Sequence, residues 1–167
     1  MLDAQLKNKY QLSLRLGEAL AQEQRTVCTV ESCTGGGIAF AITDVPGSSA
    51  WFERAWVSYS NEAKSQLVGV EPTTLDEFGA VSQEVVTQMA FGARQRANAD
   101  YSLAVSGIAG PCGGSPGKPV GLVWFAIDTA LDTYTFSRCF SGDRQQVREQ
   151  AIVLGLEKLI SCVVNAQ

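Results

Sequence analysis

The sequence predicts an α/β protein, a three-layer α/β/α sandwich around a mixed, mostly parallel sheet of about five strands. Two patterns carry that prediction. Short β-branched runs alternate with helix-period stretches as far as Val105, and two further strand-like runs then follow each other across a short connection. The composition agrees, because 46% hydrophobic and 18% charged residues over 167 positions suit one compact domain able to bury its own core.

Taken in order, Leu12, Leu16, Ala19 and Leu20 recur at helical spacing and predict an amphipathic N-terminal helix. Thr26-Val27-Cys28-Thr29-Val30 reads as a short strand that runs into Glu31-Ser32-Cys33-Thr34-Gly35-Gly36-Gly37. A helix through Ile38–Ile42 is broken by Pro46-Gly47-Ser48-Ser49. Trp56-Val57-Ser58-Tyr59 is expected to be the second strand, and Asn61 the N-cap of the helix that holds Lys64. Residues 71–79 read as a connector with a Pro-Thr-Thr helix start. Ser82 then caps a helix whose stripe is Val85, Val86, Met89, Ala90 and Ala93. Tyr101–Val105 is the third strand. Val120–Ile127 and Thr133–Phe140 predict an antiparallel hairpin. The closing helix starts near Asp143 and buries Ile152, Leu156, Leu159, Ile160 and Val163. The Gly/Pro stretch at 107–119 is expected to be a functional loop, since too little sequence follows it to build a second core.

Several function classes drop out on composition. The net charge of −4 gives no basic footprint for nucleic acid. No apolar run approaches the roughly 20 residues that span a bilayer, and the first residues lack the apolar centre of a signal peptide, so a cytoplasmic protein is expected. The chain contains no histidine, which removes Ser-His-Asp triads, Cys-His dyads and the usual His-containing zinc sites. The five cysteines form no C-x-x-C pair and are expected to be reduced thiols. Neither a metal nor a cofactor is expected.

Three loops should fall at the carboxyl ends of strands, the edge where open α/β sheets bind ligands. They follow Val30, Tyr59 and Val105. The first could cradle an anion, since glycines allow close backbone approach and the next helix points its N–H groups outward; a plain tight turn explains it equally well. Ser32 at that turn is placed as an exposed nucleophile would be. With imidazole absent, a neutral lysine is the available base, and Lys64 in the first turn of its helix sits where the dipole disfavours a cation. Alone, Lys64 would read as a solvated helix lysine and Tyr59 as strand packing; their convergence on Ser32 gives a Ser/Tyr/Lys proton-transfer set. Cys33 is a rival nucleophile. Arg144, opening the last helix, could clamp a phosphate or pair with a surface acid. Trp51, Phe52 and Trp56 could stack on a heteroaromatic ring or belong to the core.

Ordered blocks of the chain resemble the CinA C-terminal domain family. They are Glu31-Ser32-Cys33-Thr34-Gly35-Gly36, Gly47-Ser48-Ser49-Ala50-Trp51-Phe52-Glu53, Tyr59-Ser60-Asn61-Glu62-Ala63-Lys64 and Gly79-Ala80-Val81-Ser82. Further along are Ser106-Gly107-Ile108-Ala109-Gly110-Pro111, Lys118-Pro119-Val120-Gly121 and Phe140-Ser141-Gly142-Asp143-Arg144. The resemblance covers nearly the whole chain. It departs at Val30, Ala55-Trp56 and Cys112, which touches loop detail rather than the catalytic set.

The resemblance implies the activity of the family's stand-alone members, hydrolysis of nicotinamide mononucleotide to nicotinic acid mononucleotide and ammonia, in pyridine nucleotide recycling. It places the serine on Ser32, the tyrosine on Tyr59 and the lysine on Lys64. Substrate contacts are expected from Cys33, Thr34, Gly35, Gly36, Ser48, Ser106, Gly107, Ile108, Ala109, Gly110 and Arg144. The partner would be that small nucleotide, with no nucleic acid or membrane, and the enzyme is expected to be a homo-oligomer. The alternative is a non-catalytic nucleotide-binding module linked to competence or DNA-damage responses. A dehydrogenase using Ser, Tyr and Lys is disfavoured, because its Tyr-x-x-x-Lys spacing shares one helix face, whereas Tyr59 and Lys64 are five apart.

Overall fold

The structure is a computed structural model that describes residues 2–165. The chain runs α1 (Leu2–Glu23), β1 (Val27–Glu31), α2 (Gly37–Thr43), a 3₁₀ turn (Ser48–Ala50), β2 (Phe52–Val57), α3 (Asn61–Val68) and α4 (Pro72–Phe78). It continues with α5 (Gln83–Ala97), β3 (Tyr101–Gly107), β4 (Leu122–Asp128), β5 (Thr133–Cys139) and α6 (Arg144–Asn165).

β1 takes an interior place in the sheet, all five of its residues, Thr29 and Glu31 included, being buried. The strand order is β2-β1-β3-β4-β5. β1 pairs in parallel with β2 and β3, while β4 runs antiparallel to both β3 and β5. Four of the five strands therefore point the same way, as the expected mostly parallel sheet requires.

Side-chain alternation separates two cores. Val27, Leu103, Val105, Val123, Phe125 and Ile127 pack under α1, α2 and α6. Cys28, Val30, Ala104 and Ala126 pack with residues of α3, α4 and α5 on the other face. Leu12, Leu16 and Leu20 of α1 are buried, as are Ile152, Leu156, Leu159, Ile160 and Val163 of α6. Both predicted stripes are therefore the helix faces that the sheet covers. No helix among the described residues is long and apolar enough to cross a membrane.

Three expectations need correction. The second strand spans Phe52–Val57 rather than Trp56–Tyr59. It begins where Val27 N–H bonds the Trp51 carbonyl, and its Glu53-Arg54-Ala55 stretch is exposed because β2 is an edge strand, so no hydrophobic alternation marks it. The cap of α3 is Ser60, whose hydroxyl accepts the Ala63 N–H at 3.0 Å, and Asn61 is the first helical residue. The connector at 71–79 contains a full short helix, α4, with Pro72 at its start. Ser82 does cap α5, accepting from Val85 N–H. Trp51 is buried against Gly17 of α1, so it is core.

Candidate active site

From β1 the chain passes to β2 on one side of it, while β3 lies on the other side, so the strand order reverses between β1 and β3. A crevice opens at such a switch point, outside the carboxyl ends of the strands. Ser32 stands there, one residue beyond β1, its N–H bonded to the Val105 carbonyl of β3 at 3.0 Å.

Lys64 reaches the crevice from the α3 layer. Its Nζ donates to Ser32 Oγ at 3.2 Å and to the Ser58 carbonyl at 2.9 Å. The residue is only 1% exposed, and no carboxylate pairs with it among the described residues. Burial lowers its pKa below the ordinary lysine value, with nearby Cys33 acting in the opposite sense. An amine so placed is suited to hold a free lone pair against the serine hydroxyl.

Cys33 points the other way. Its side chain joins the core under α1, α2 and α6, and burial, followed by the neighbouring Glu31 carboxylate, pushes its thiol up to about 12. It is a protonated core residue in the sense of a small hydrophobe, and Ser32 is the residue of this turn whose side chain meets Lys64.

The remaining wall mixes polar side chains with small apolar ones, Ala80, Val81 and Ala109. A cavity of about 250 Å³ is lined by Ser32, Tyr59, Asn61, Lys64, Ser106 and Arg144, with Gly107, Ala109 and Cys33 also on its wall. Arg144 donates from Nη1 to the Gly110 carbonyl at 2.9 Å and from Nη2 to the Tyr59 hydroxyl at 2.8 Å. Tyr59 is 59% exposed, and its hydroxyl thus engages Arg144 at the rim rather than the Ser32–Lys64 pair. On the same wall the Ser106 hydroxyl donates to the Ala80 carbonyl at 2.8 Å.

The expected anion cradle after β1 is already occupied from within. Glu31 is fully buried, and its Oε2 accepts from Thr34 Oγ1 at 2.6 Å, Gly36 N–H at 3.1 Å and Ile38 N–H at 3.0 Å. Its Oε1 accepts from Ala39 N–H at 2.8 Å. The carboxylate thereby satisfies the open donors at the start of α2. Gly35 N–H closes the turn onto the Ser32 carbonyl at 3.0 Å. The Thr34 hydroxyl and the Gly36 N–H are therefore committed to the loop itself.

Two further expected contacts are displaced. Ile108 continues the sheet, exchanging backbone bonds with Leu122 and Gly121. Ser48 lies at the opposite edge: its turn leads into β2 beside Val27, five strand residues or about 16 Å from Ser32. It sits at the amino ends of β1 and β2, so the strand length itself holds it off the crevice.

Sequence reasoning missed Glu31, Ser58 and Arg148. Arg148 donates to the Cys33 carbonyl at 3.1 Å and to the Thr34 carbonyl at 3.0 Å. The signals were available: an acid closing an otherwise apolar strand, and an arginine one helical turn after Arg144.

Comparison with known proteins follows the same lines. The CinA C-terminal domain profile matches residues 9–163. The nicotinamide-nucleotide amidohydrolase PncC of Escherichia coli K12 is 55% identical over 160 residues, covering 95% of each chain. The protein of the same name from Pseudomonas putida is 51% identical over 149 residues, covering 89% of this chain and 93% of its own. A crystal structure of the competence damage-inducible protein A of Klebsiella pneumoniae superposes with a TM-score of 0.92 at 36% identity, covering 95% of this chain and 99% of that one.

Proposed function

The chain belongs to the CinA C-terminal domain family, and from that premise we propose that it hydrolyses the carboxamide of nicotinamide mononucleotide, giving nicotinic acid mononucleotide and ammonia. The observation that carries the reading is the 3.2 Å approach of a buried, carboxylate-free Lys64 to Ser32 Oγ. A module that only binds nucleotide has no use for a lysine whose charge is disfavoured by burial. The amidohydrolase relatives cover 95% of the chain and supply the bond that is cut.

In the proposed reaction Ser32 Oγ bonds to the carboxamide carbon while neutral Lys64 takes the hydroxyl proton. The carbon–nitrogen bond then breaks, and Lys64 returns that proton to the departing nitrogen, which leaves as ammonia. Water attacks the acyl-Ser32 ester with Lys64 again as base, and the proton passes back to Ser32 Oγ as the acid is released. Of the turn's donors, Gly35 and Gly36 N–H are engaged, which leaves Cys33 and Thr34 N–H for the oxyanion.

Arg144 receives the phosphate. It stands at the first position of α6, where the helix dipole opposes a cation and an incoming anion relieves that opposition. Tyr59 orients it through the bond between them. The pyridinium charge of the bound nucleotide adds to burial in keeping Lys64 neutral. We extend the reading to a cytoplasmic homo-oligomer acting in pyridine nucleotide recycling; the five free thiols and the two uncovered sheet edges, β2 and β5, support it.

Ammonia release from nicotinamide mononucleotide by the pure protein tests the reading, with Ser32→Ala and Cys33→Ala as paired variants. Ser32→Ala is expected to lose turnover and Cys33→Ala to keep it. Undiminished turnover in Ser32→Ala defeats the assignment.

A further inference from the structure

Arg144 and Arg148 lie four residues apart on α6 and so share one face of it. Arg144 belongs to the rim of the crevice. Arg148 touches nothing in the crevice, yet it is half-buried and has no carboxylate partner among the described residues. Its hydrogen bonds go to consecutive backbone carbonyls, Cys33 through Nε and Thr34 through Nη2.

The geometry of the peptide gives those bonds a consequence. The Cys33–Thr34 bond is trans, so the Cys33 C=O and the Thr34 N–H point in opposite directions. Arg148 approaches the turn from the layer of α1, α2 and α6, while Lys64 approaches from the layer of α3 and α5. Holding the Cys33 carbonyl towards α6 therefore turns the Thr34 N–H towards the Ser32–Lys64 side.

That N–H has no acceptor among the described residues, although Thr34 is fully buried. A buried unpaired donor is costly and rare in a folded protein, and a donor beside a nucleophile is what an oxyanion requires. The second bond completes the arrangement. The Thr34 carbonyl is held by the same guanidinium, while the Gly35 N–H across that peptide closes on the Ser32 carbonyl. A cation on these carbonyls also polarises the peptide and strengthens its N–H as a donor.

We propose that Arg148 is a positioning residue that holds the Cys33 and Thr34 carbonyls on the α6 side and so aims the Thr34 N–H at the oxyanion formed on attack by Ser32. The proposal rests on Ser32 as nucleophile, and its test is separable from the choice of substrate. A fluorophosphonate probe forms a bond from Ser32 Oγ to phosphorus as fluoride leaves and the hydroxyl proton passes to Lys64, and its phosphoryl oxygen uses the same donor.

Labelling of the full-length protein is followed by intact mass for wild type, Ser32→Ala, Arg148→Ala and Arg148→Lys. Kinetics on nicotinamide mononucleotide run in parallel. Wild type is expected to be labelled and Ser32→Ala not. Arg148→Ala should be slowed about 10²-fold, the loss of one oxyanion donor, and millimolar guanidinium should restore part of its rate. Arg148→Lys should lose less, because an ammonium can still hold one carbonyl. On the nucleotide the same loss should fall on kcat with KM unchanged.

Labelling of Arg148→Ala at the wild-type rate overturns the proposal. So does a slowing that neither guanidinium nor lysine relieves, or an unlabelled wild type. If Arg148→Ala does not fold, Arg148→Gln, which keeps bulk but loses the cation, decides, since a wild-type rate there refutes the role. A wild type that labels but releases no ammonia defeats the substrate assignment alone.

Discussion

Replacing Lys64 with methionine separates what this residue does for catalysis from what it does to stability. Methionine keeps the length of the side chain inside a site only 1% exposed, and removes the amine that meets Ser32 Oγ at 3.2 Å. With the base gone, kcat is expected to fall by about 10²–10⁴-fold. The stability effect has a definite sign. Burial lowers the folded-state pKa of Lys64, whereas the unfolded chain keeps the ordinary 10.5. Between those two values the unfolded state binds a proton that the folded state has released. Wild-type stability therefore rises with pH across that window relative to Lys64→Met, with a limiting slope of about 1.4 kcal/mol per pH unit. Above 10.5 both states are neutral and the difference levels; below the folded pKa both are charged and the penalty is complete. Urea denaturation of the two proteins at matched pH from neutrality upward measures it, other titrating groups cancelling in the difference. Wild-type kcat should climb through the same lowered pKa. A difference that is flat or falls with rising pH, or a methionine variant with full turnover, refutes a buried lysine poised to be neutral.

The other expectations concern the groups around that pair. Arg144→Ala should raise KM by roughly 10–100-fold with little change in kcat, because a phosphate clamp binds ground and transition states alike; steady-state kinetics decide it, and a loss confined to kcat contradicts the clamp. Glu31→Gln turns an amide N–H₂ towards either Ala39 N–H or the Thr34, Gly36 and Ile38 donors. The resulting unpaired donor should cost about 2–3 kcal/mol and lower the melting temperature by several degrees, with kcat falling as the Ser32 turn loosens. Gly92→Ala places a Cβ 1.7 Å from the Val68 carbonyl. It should therefore destabilise by about 1–3 kcal/mol in thermal melts and, by displacing α3, reduce the turnover that depends on Lys64.

How much of the site could be read in advance varies by residue. Ser32 and Lys64 were legible because each has a local signature, a serine on a strand-to-glycine turn and a lysine opening a helix. Arg144 was legible as a cation at a helix start, and its partners Tyr59 and Gly110 were not. Tyr59 was expected on the proton-transfer pair, but the edge strand ends at Val57 and leaves its ring at the rim. Ser48 was placed in the site by motif, and strand length puts it at the far end of the sheet.

The layers, the strand count, the hairpin and the chemistry left to a chain without histidine all follow from one-dimensional facts: side-chain periodicity, turn residues and composition. Local pattern carries them because each depends on neighbours a few residues away. The occupant of the α2 cradle, the fate of Cys33 and the arginine behind the Ser32 turn depend on which layer approaches Ser32 from which side. Periodicity is silent on that. Glu31 and Arg148 are 117 residues apart in the chain, and only the packing of α2 and α6 on one face of the sheet makes them two halves of the same loop restraint.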